Sequence, residues 1–107
     1  MSAKPPSTGF LLTVSPDHPR FAACLDAVAN ARATRAEVYL YCLDDGIAAL
    51  ADPRLAIPTQ EEASRFHLLG CASAAEKRGL PRSPDATYGG LKMLSDVIAH
   101  AGSFQSF

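Results

Sequence analysis

Gly9 to Val14 (GFLLTV), Glu37 to Leu43 (EVYLYCL) and Phe66 to Gly70 (FHLLG) are apolar runs of strand length whose hydrophobic side chains fall on both faces. Such runs predict strands covered by helices on each side of a sheet. Between the first two runs the period changes. Phe21, Cys24, Leu25 and Val28 recur at i, i+3, i+4 and i+7, while Arg20, Asn30 and Arg32 are left to face water, which predicts a helix ending near Thr34. Ahead of it, Ser15-Pro16-Asp17-His18-Pro19 offers a Ser or Asp cap and a proline suited to the first turn. Strand, helix, strand with this crossover length predicts a right-handed βαβ unit in a parallel sheet.

The rest of the chain continues the alternation. Asp44-Asp45-Gly46 turns the chain after the second strand, with one aspartate placed to cap a short helix from Ile47 to Ala51. Ala51 to Pro58 is a loop with two prolines, and Thr59-Gln60-Glu61-Glu62 matches a capping box ahead of a short helix into the third strand. Beyond Cys71 a small-residue helix runs until Gly79 stops it. Leu80 to Asp85 holds two prolines and forms at most a short strand. Tyr88 to Ala101 reads as a helix with Leu91, Leu94, Val97, Ile98 and Ala101 on its core face and Gly102 as its stop, and Ser103 to Phe107 as a last strand. The expected organisation is a disordered leader over residues 1–8 and one domain over 9–107. Its fold class is α/β: a three-layer α/β/α, flavodoxin-like domain with a mainly parallel sheet of four to five strands.

Composition narrows the function classes. With 107 residues and 48% hydrophobic content the chain supports a single modest core. A net charge of −1, with no Lys/Arg cluster, offers nothing to attract nucleic acid. The stretch MSAKPPSTG lacks the apolar centre of a signal peptide and no run is long enough to span a membrane, so a cytoplasmic protein is expected. Three widely spaced cysteines form neither a disulfide framework nor a CxxC pair, and free thiols in a reducing compartment fit better. Nucleotide fingerprints (GxGxxG, GxxxxGK[ST]), a GxSxG elbow and zinc-ligand spacing are absent; Gly89-Gly90 precedes a helix without a P-loop lysine and suits a turn or tight packing. No cofactor and no metal are expected, and the Asp44-Asp45 pair has no further ligands nearby.

Chemistry concentrates at Cys71, where an apolar strand meets a helix start. At the carboxyl end of a parallel strand, loops leave the rigid sheet and the backbone N–H groups of a helix N-terminus favour a thiolate over a thiol. Ala72, Ser73 and Ala74 are small, and their amides and the Ser73 hydroxyl are candidates to hold an anion bound there. The plain alternative is a buried structural cysteine. His67 shares a strand face with Cys71 but lies roughly 13 Å behind it, too far to act as its base, which leaves a structural or interface role. His18 would stand beside the same crevice if the first and third strands were neighbours; otherwise it is an exposed helix-start residue. His100, Lys77 and Arg78 read as helix C-terminal cations, the last two almost two turns from the thiol. Cys24 falls on a buried stripe and reads as a small core hydrophobe.

The segment Gly70-Cys71-Ala72-Ser73-Ala74-Ala75-Glu76-Lys77-Arg78-Gly79-Leu80 resembles the cysteine signature of the DsrE/DsrF-like (TusD-related) sulfur-relay family, in which a cysteine after a strand opens a helix ending in Arg-Gly. Val38 to Ile47, with its Asp-Gly turn, and the closing helix leading into Ser103 to Phe107 are similar to the family's pattern, so the resemblance spans about 9–107. It implies a sulfur-carrier or sulfurtransferase in which Cys71 accepts sulfane sulfur as a persulfide and passes it to a partner's cysteine. Only Cys71 maps onto the sulfur-carrying position; Cys24 and Cys42 do not carry over. It also implies donor and acceptor proteins, TusA-like or rhodanese-like, and a homotrimer or hexamer. The short segment between Gly79 and Tyr88 departs from the family, where a further strand would be expected. Because the family includes subunits without the reactive cysteine, the alternative is a noncatalytic subunit of such an assembly or a small-ligand-sensing module.

Overall fold

In a computed structural model, residues 7–55 and 60–107 are described. The elements are β1 (Ser7–Leu12), α1 (Pro19–Ala33), β2 (Glu37–Cys42), two 3-10 segments (Asp44–Ala51 and Pro53–Leu55), α2 (Gln60–Ala63), β3 (Phe66–Cys71), α3 (Ala72–Lys77), β4 (Ala86–Gly89), α4 (Leu91–His100) and β5 (Ser103–Ser106). All strands are parallel, in the order β4-β3-β2-β1-β5. The three-layer α/β/α, flavodoxin-like architecture and the fifth strand are therefore present. The chain steps outward from β1 to β4 in one direction, then α4 carries it back to the far side of β1.

Register assigns the two faces. Leu12, Cys42 and Gly70 lie side by side, and a Cβ on Gly70 would meet Leu50 and Ile47 of the first 3-10 segment. Phe21, Cys24 and Val28 of α1 are buried over the same face. Gly9, Tyr39 and His67 share the opposite face, where a Cβ on Gly9 would meet Val97 and Ala101. One face is thus covered by α1, the 3-10 segment and α3, the other by α4. The core between them is dominated by Tyr41, Phe10, Phe21, Phe66, Leu12 and Leu40, each under 2% exposed or nearly so.

The structure corrects several local expectations. Ser7 and Thr8 belong to β1 and not to a leader, because they pair with Glu37 and Val38 of β2; residues 1–6 lie outside the described residues. The cap of α1 is His18, not Ser15 or Asp17: Pro19 occupies the first helical turn, and the Nδ1 of His18 accepts the Arg20 N–H at 3.1 Å. Neither aspartate caps the segment after β2. It begins at Asp44 itself, which takes a left-handed conformation (φ 52°), and Leu43 precedes it without a side-chain cap bond. The capping-box residue Thr59 lies outside the described residues.

Around the Gly89-Gly90 pair the boundary shifts most. Tyr88 was expected to open a helix, yet it pairs with Gly70 in β4, and the Ser83 N–H donates to its hydroxyl at 2.8 Å. Two consecutive glycines disfavour helix, so α4 starts at Leu91. The fourth strand sits at Ala86–Gly89, after the two prolines of Leu80 to Asp85 rather than among them. The expected core face of α4 is also narrower. Val97 is buried and Leu94 packs at its edge, but Leu91 is 68% and Ile98 49% exposed, because α4, the one helix on that side among the described residues, can turn only one stripe to the sheet.

Candidate functional site

Cys71 ends β3 and is at the same time the N-cap residue of α3, so an apolar strand delivers it to the carboxyl edge of the sheet. Its first-turn neighbours are small, and α3 closes with Arg78 as C-cap and Gly79 at φ +62°, the left-handed stop that glycine tolerates. The thiol makes no cap bond to the helix amides. Cys71 is 8% exposed, and it lines a pocket of about 250 Å³ together with Leu43, Asp44, Ser73, Lys77, Arg78 and Leu91. The sulfur is therefore recessed at a surface cleft and not sealed in hydrocarbon. Three elements build the walls: the turn after β2, the length of α3, and the first residue of α4.

Charge is distributed unevenly over that cleft. Arg78 donates to Asp45 at 3.1 Å and to the Ala74 carbonyl at 3.4 Å, which ties the end of α3 to the turn after β2. Lys77 stands exposed on the rim, and Ser73, also exposed, stands nearer the thiol in sequence. Lys77 and Arg78 are the helix C-terminal cations the sequence predicts, with Arg78 donating to the Ala74 carbonyl, and both also line the cleft that Cys71 lines. Ala72 is half-buried and does not line the pocket. His18 is not part of it either, since β2 lies between β1 and β3 and His18 is exposed at the start of α1.

Beneath the cleft lies Tyr41 of β2, whose role no local sequence signal marks. It shares the α4-side face with Cys71, is 0% exposed, and its hydroxyl donates to the Gly90 carbonyl at 3.2 Å. Gly90 follows Gly89, the cross-strand partner of Cys71. Burial pushes the Tyr41 phenol up to about 12, and charge and hydrogen bonding from Cys71 push in the same direction. The two other cysteines are core residues. Cys24 and Cys42 are both 0% exposed, burial raises Cys24 to about 11, and burial with the neighbouring Cys24 sulfur raises Cys42 further.

His67 belongs to a separate cluster at the opposite end of the strands. It stacks on Tyr39 with ring centroids 4.6 Å apart, and its Nε2 lies 2.8 Å from Glu37 Oε1, which also accepts from the Tyr39 hydroxyl at 2.8 Å. The Tyr39 bond and then the His67 bond hold the Glu37 carboxyl below its ordinary range. His100 places Nδ1 2.8 Å from the Asp96 carbonyl in the last turn of α4. Among the described residues no three His, Cys, Asp or Glu side chains gather as a metal site, and no helix is long and apolar enough to cross a membrane.

No protein-family model matches the chain, and none of the curated proteins matches it in sequence. Its fold does have a solved counterpart. The crystal structure of the ychN protein from E. coli superposes with a TM-score of 0.71 over 97% of this chain and 100% of that one, at 14% identity. A likeness at that identity defines the class of fold, a five-stranded parallel sheet between helical layers.

Proposed function

We propose that the protein is a sulfur carrier of the DsrE-like kind, with Cys71 as the residue that holds sulfur. One observation carries this reading: of the cysteines, Cys71 alone lines a surface cleft, at the carboxyl edge of the parallel sheet, while Cys24 and Cys42 are in the core. The fold shared with ychN and the order of strand, cysteine and helix ending in Arg78-Gly79 support it.

The chemistry needs no cofactor. The Cys71 thiolate attacks the outer sulfur of a donor persulfide R–S–SH; the donor S–S bond breaks, RS⁻ leaves, and Cys71 keeps Cys–S–SH. An acceptor thiolate then attacks that terminal sulfur, forming its own persulfide and returning the Cys71 thiolate. Each step exchanges one S–S bond for another, so there is no net oxidation. Small walls at Ser73 and Ala74 leave room for the added sulfur, and Lys77 offers a cation to an incoming anionic donor. The donor and acceptor in this reading are proteins of TusA-like or rhodanese-like type, and the working form is a cytoplasmic homotrimer or hexamer.

The recessed position of Cys71, at 8% exposure, favours a second reading: a noncatalytic subunit of a relay assembly, or a small-ligand module. One experiment separates the two. Incubation with a persulfide or polysulfide donor should add about 32 Da per sulfur atom to the intact mass, reversed by a thiol reductant and absent in Cys71→Ser. Equal loading of Cys71→Ser and the parent protein would remove Cys71 from the role, and no loading from any donor would favour the noncatalytic subunit.

A further inference from the structure

We propose that the Tyr41 hydroxyl is the positioning group for Cys71: it transfers its hydrogen bond from the Gly90 carbonyl to the sulfur whenever the sulfur is anionic, as thiolate or as persulfide. The proposal deepens the reading of Cys71 as nucleophile and rests on it.

The geometry is specific. Tyr41 and Cys71 stand on the same face of adjacent strands, β2 and β3, one pair offset along the register. The phenol reaches across β3 to Gly90, the residue after the cross-strand partner of Cys71, and Cys71 acts on that phenol by charge and hydrogen bonding, which sets the hydroxyl near the sulfur. Tyr41 is itself fully buried. A phenol has one proton and can also accept. With Cys71 as a thiol, the S–H can donate to the Tyr41 oxygen while the phenol donates to Gly90. Once the thiol proton has left to solvent through the cleft, the sulfur is the stronger acceptor, and charge-assisted bonds exceed neutral ones.

Release of Gly90 costs little, which makes the exchange workable. Its carbonyl also accepts the Met93 N–H, at 3.1 Å, in the first turn of α4, so the acceptor is not orphaned when the phenol turns away. The charged groups that face Cys71 across the cleft are Asp44 from the turn after β2 and Lys77 and Arg78 from α3. From β4 and α4 it meets the backbone of Gly89 and Gly90 and the side chain of Leu91, none of which titrates. Arg78 is already engaged by Asp45 and Ala74, so among these groups the buried phenol is the neutral donor whose removal leaves the charges unchanged.

Tyr41→Phe deletes the hydroxyl and keeps the ring. Alkylation of Cys71 by iodoacetamide, followed by peptide mass from pH 6 to 10, should shift its profile upward by about one pH unit, with about tenfold slower modification below the midpoint. An unchanged profile in a folded variant overturns the proposal. A measurement on the parent protein does not depend on that variant folding. With tyrosine labelled at the ring carbon that bears oxygen, the Tyr41 resonance should move through the pH range in which Cys71 becomes alkylatable, and this movement should vanish in Cys71→Ser; a resonance indifferent to Cys71 overturns the proposal equally. Sulfur uptake is read separately by mass. A parent protein that alkylates but never loads sulfur counts against the persulfide reading, and an unshifted pH profile counts against Tyr41.

Discussion

At the scale of single residues, burial sorts the cysteines. Thiolate is the reactive form, and burial holds the Cys24 thiol near 11 and Cys42 higher still, so both stay protonated at neutral and mildly alkaline pH. Brief iodoacetamide treatment of native protein at pH 8 should therefore label Cys71, and Cys24 and Cys42 only after denaturation; early labelling of either buried thiol would contradict the packing. The same burial predicts the alkaline limit of stability. An unfolded thiol loses its proton near 9.0 and an unfolded phenol near 10.0, whereas folded Cys24 and Tyr41 hold theirs to about 11 and about 12. Above pH 9 the unfolded state binds fewer protons than the folded one, so stability falls as pH rises, by up to about 1.4 kcal/mol per pH unit for each group in its window. Thermal unfolding followed from pH 8 to 11 should show this decline, and Cys24→Ala should flatten its first part.

At the scale of elements, the turn after β2 couples the core to the cleft. A Cβ on Gly46 would overlap the Leu12 carbonyl, because the chain crosses back over the end of β1, where the Leu43 N–H donates to that same oxygen at 2.9 Å. Downstream Ile47, Ala49 and Leu50 are buried, and upstream Leu43 and Asp44 line the Cys71 pocket. Gly46→Ala should then destabilise by about 2 kcal/mol through overpacking against backbone that cannot yield. Urea denaturation would read it as a lower midpoint at unchanged slope; a parent-like midpoint would mean that the segment adjusts freely.

Much of this was legible in the chain's own pattern. β1, β2, β3 and α1 announce themselves by runs apolar on both faces and by the Phe21, Cys24, Val28 stripe, and each was placed to within two residues or so. Cys71 was legible as a corner because strand and helix signals abut there. What escaped needed contacts between distant segments. Gly89-Gly90 could be read as the start of a helix or its interruption, and only pairing of Tyr88 with Gly70 decides for a strand. Tyr41 gains its meaning from register with β3, and Lys77 from the way α3 lies along the cleft. Local spacing contains neither fact.

For the whole molecule, the proposed assembly is a matter of uneven cover. A parallel sheet is normally buried on both faces, yet on one side this sheet has α4 alone, ten residues long, among the described residues. Beside that helix, Tyr39, Leu69, Met93 and Val97 line a groove of about 260 Å³ with Asp96 and His100 at its rim, and Ile98 stands 49% exposed next to it. The Glu37, Tyr39 and His67 cluster adjoins the groove, with the Tyr39 hydroxyl and His67 Nε2 both on Glu37 Oε1 and the stacked rings half-covered. In the homo-oligomer proposed above, a second copy would cover this face. Sedimentation of the parent protein should then give a mass above the 11.3 kDa of one chain, and Ile98→Lys should lower it without loss of helix signal. Because Ile98 does not line the Cys71 pocket, the thiol of the dissociated variant should still alkylate, which distinguishes lost assembly from lost fold. A parent protein that sediments as a monomer at all concentrations would remove the assembly, and leave the Cys71 cleft to act within a single chain.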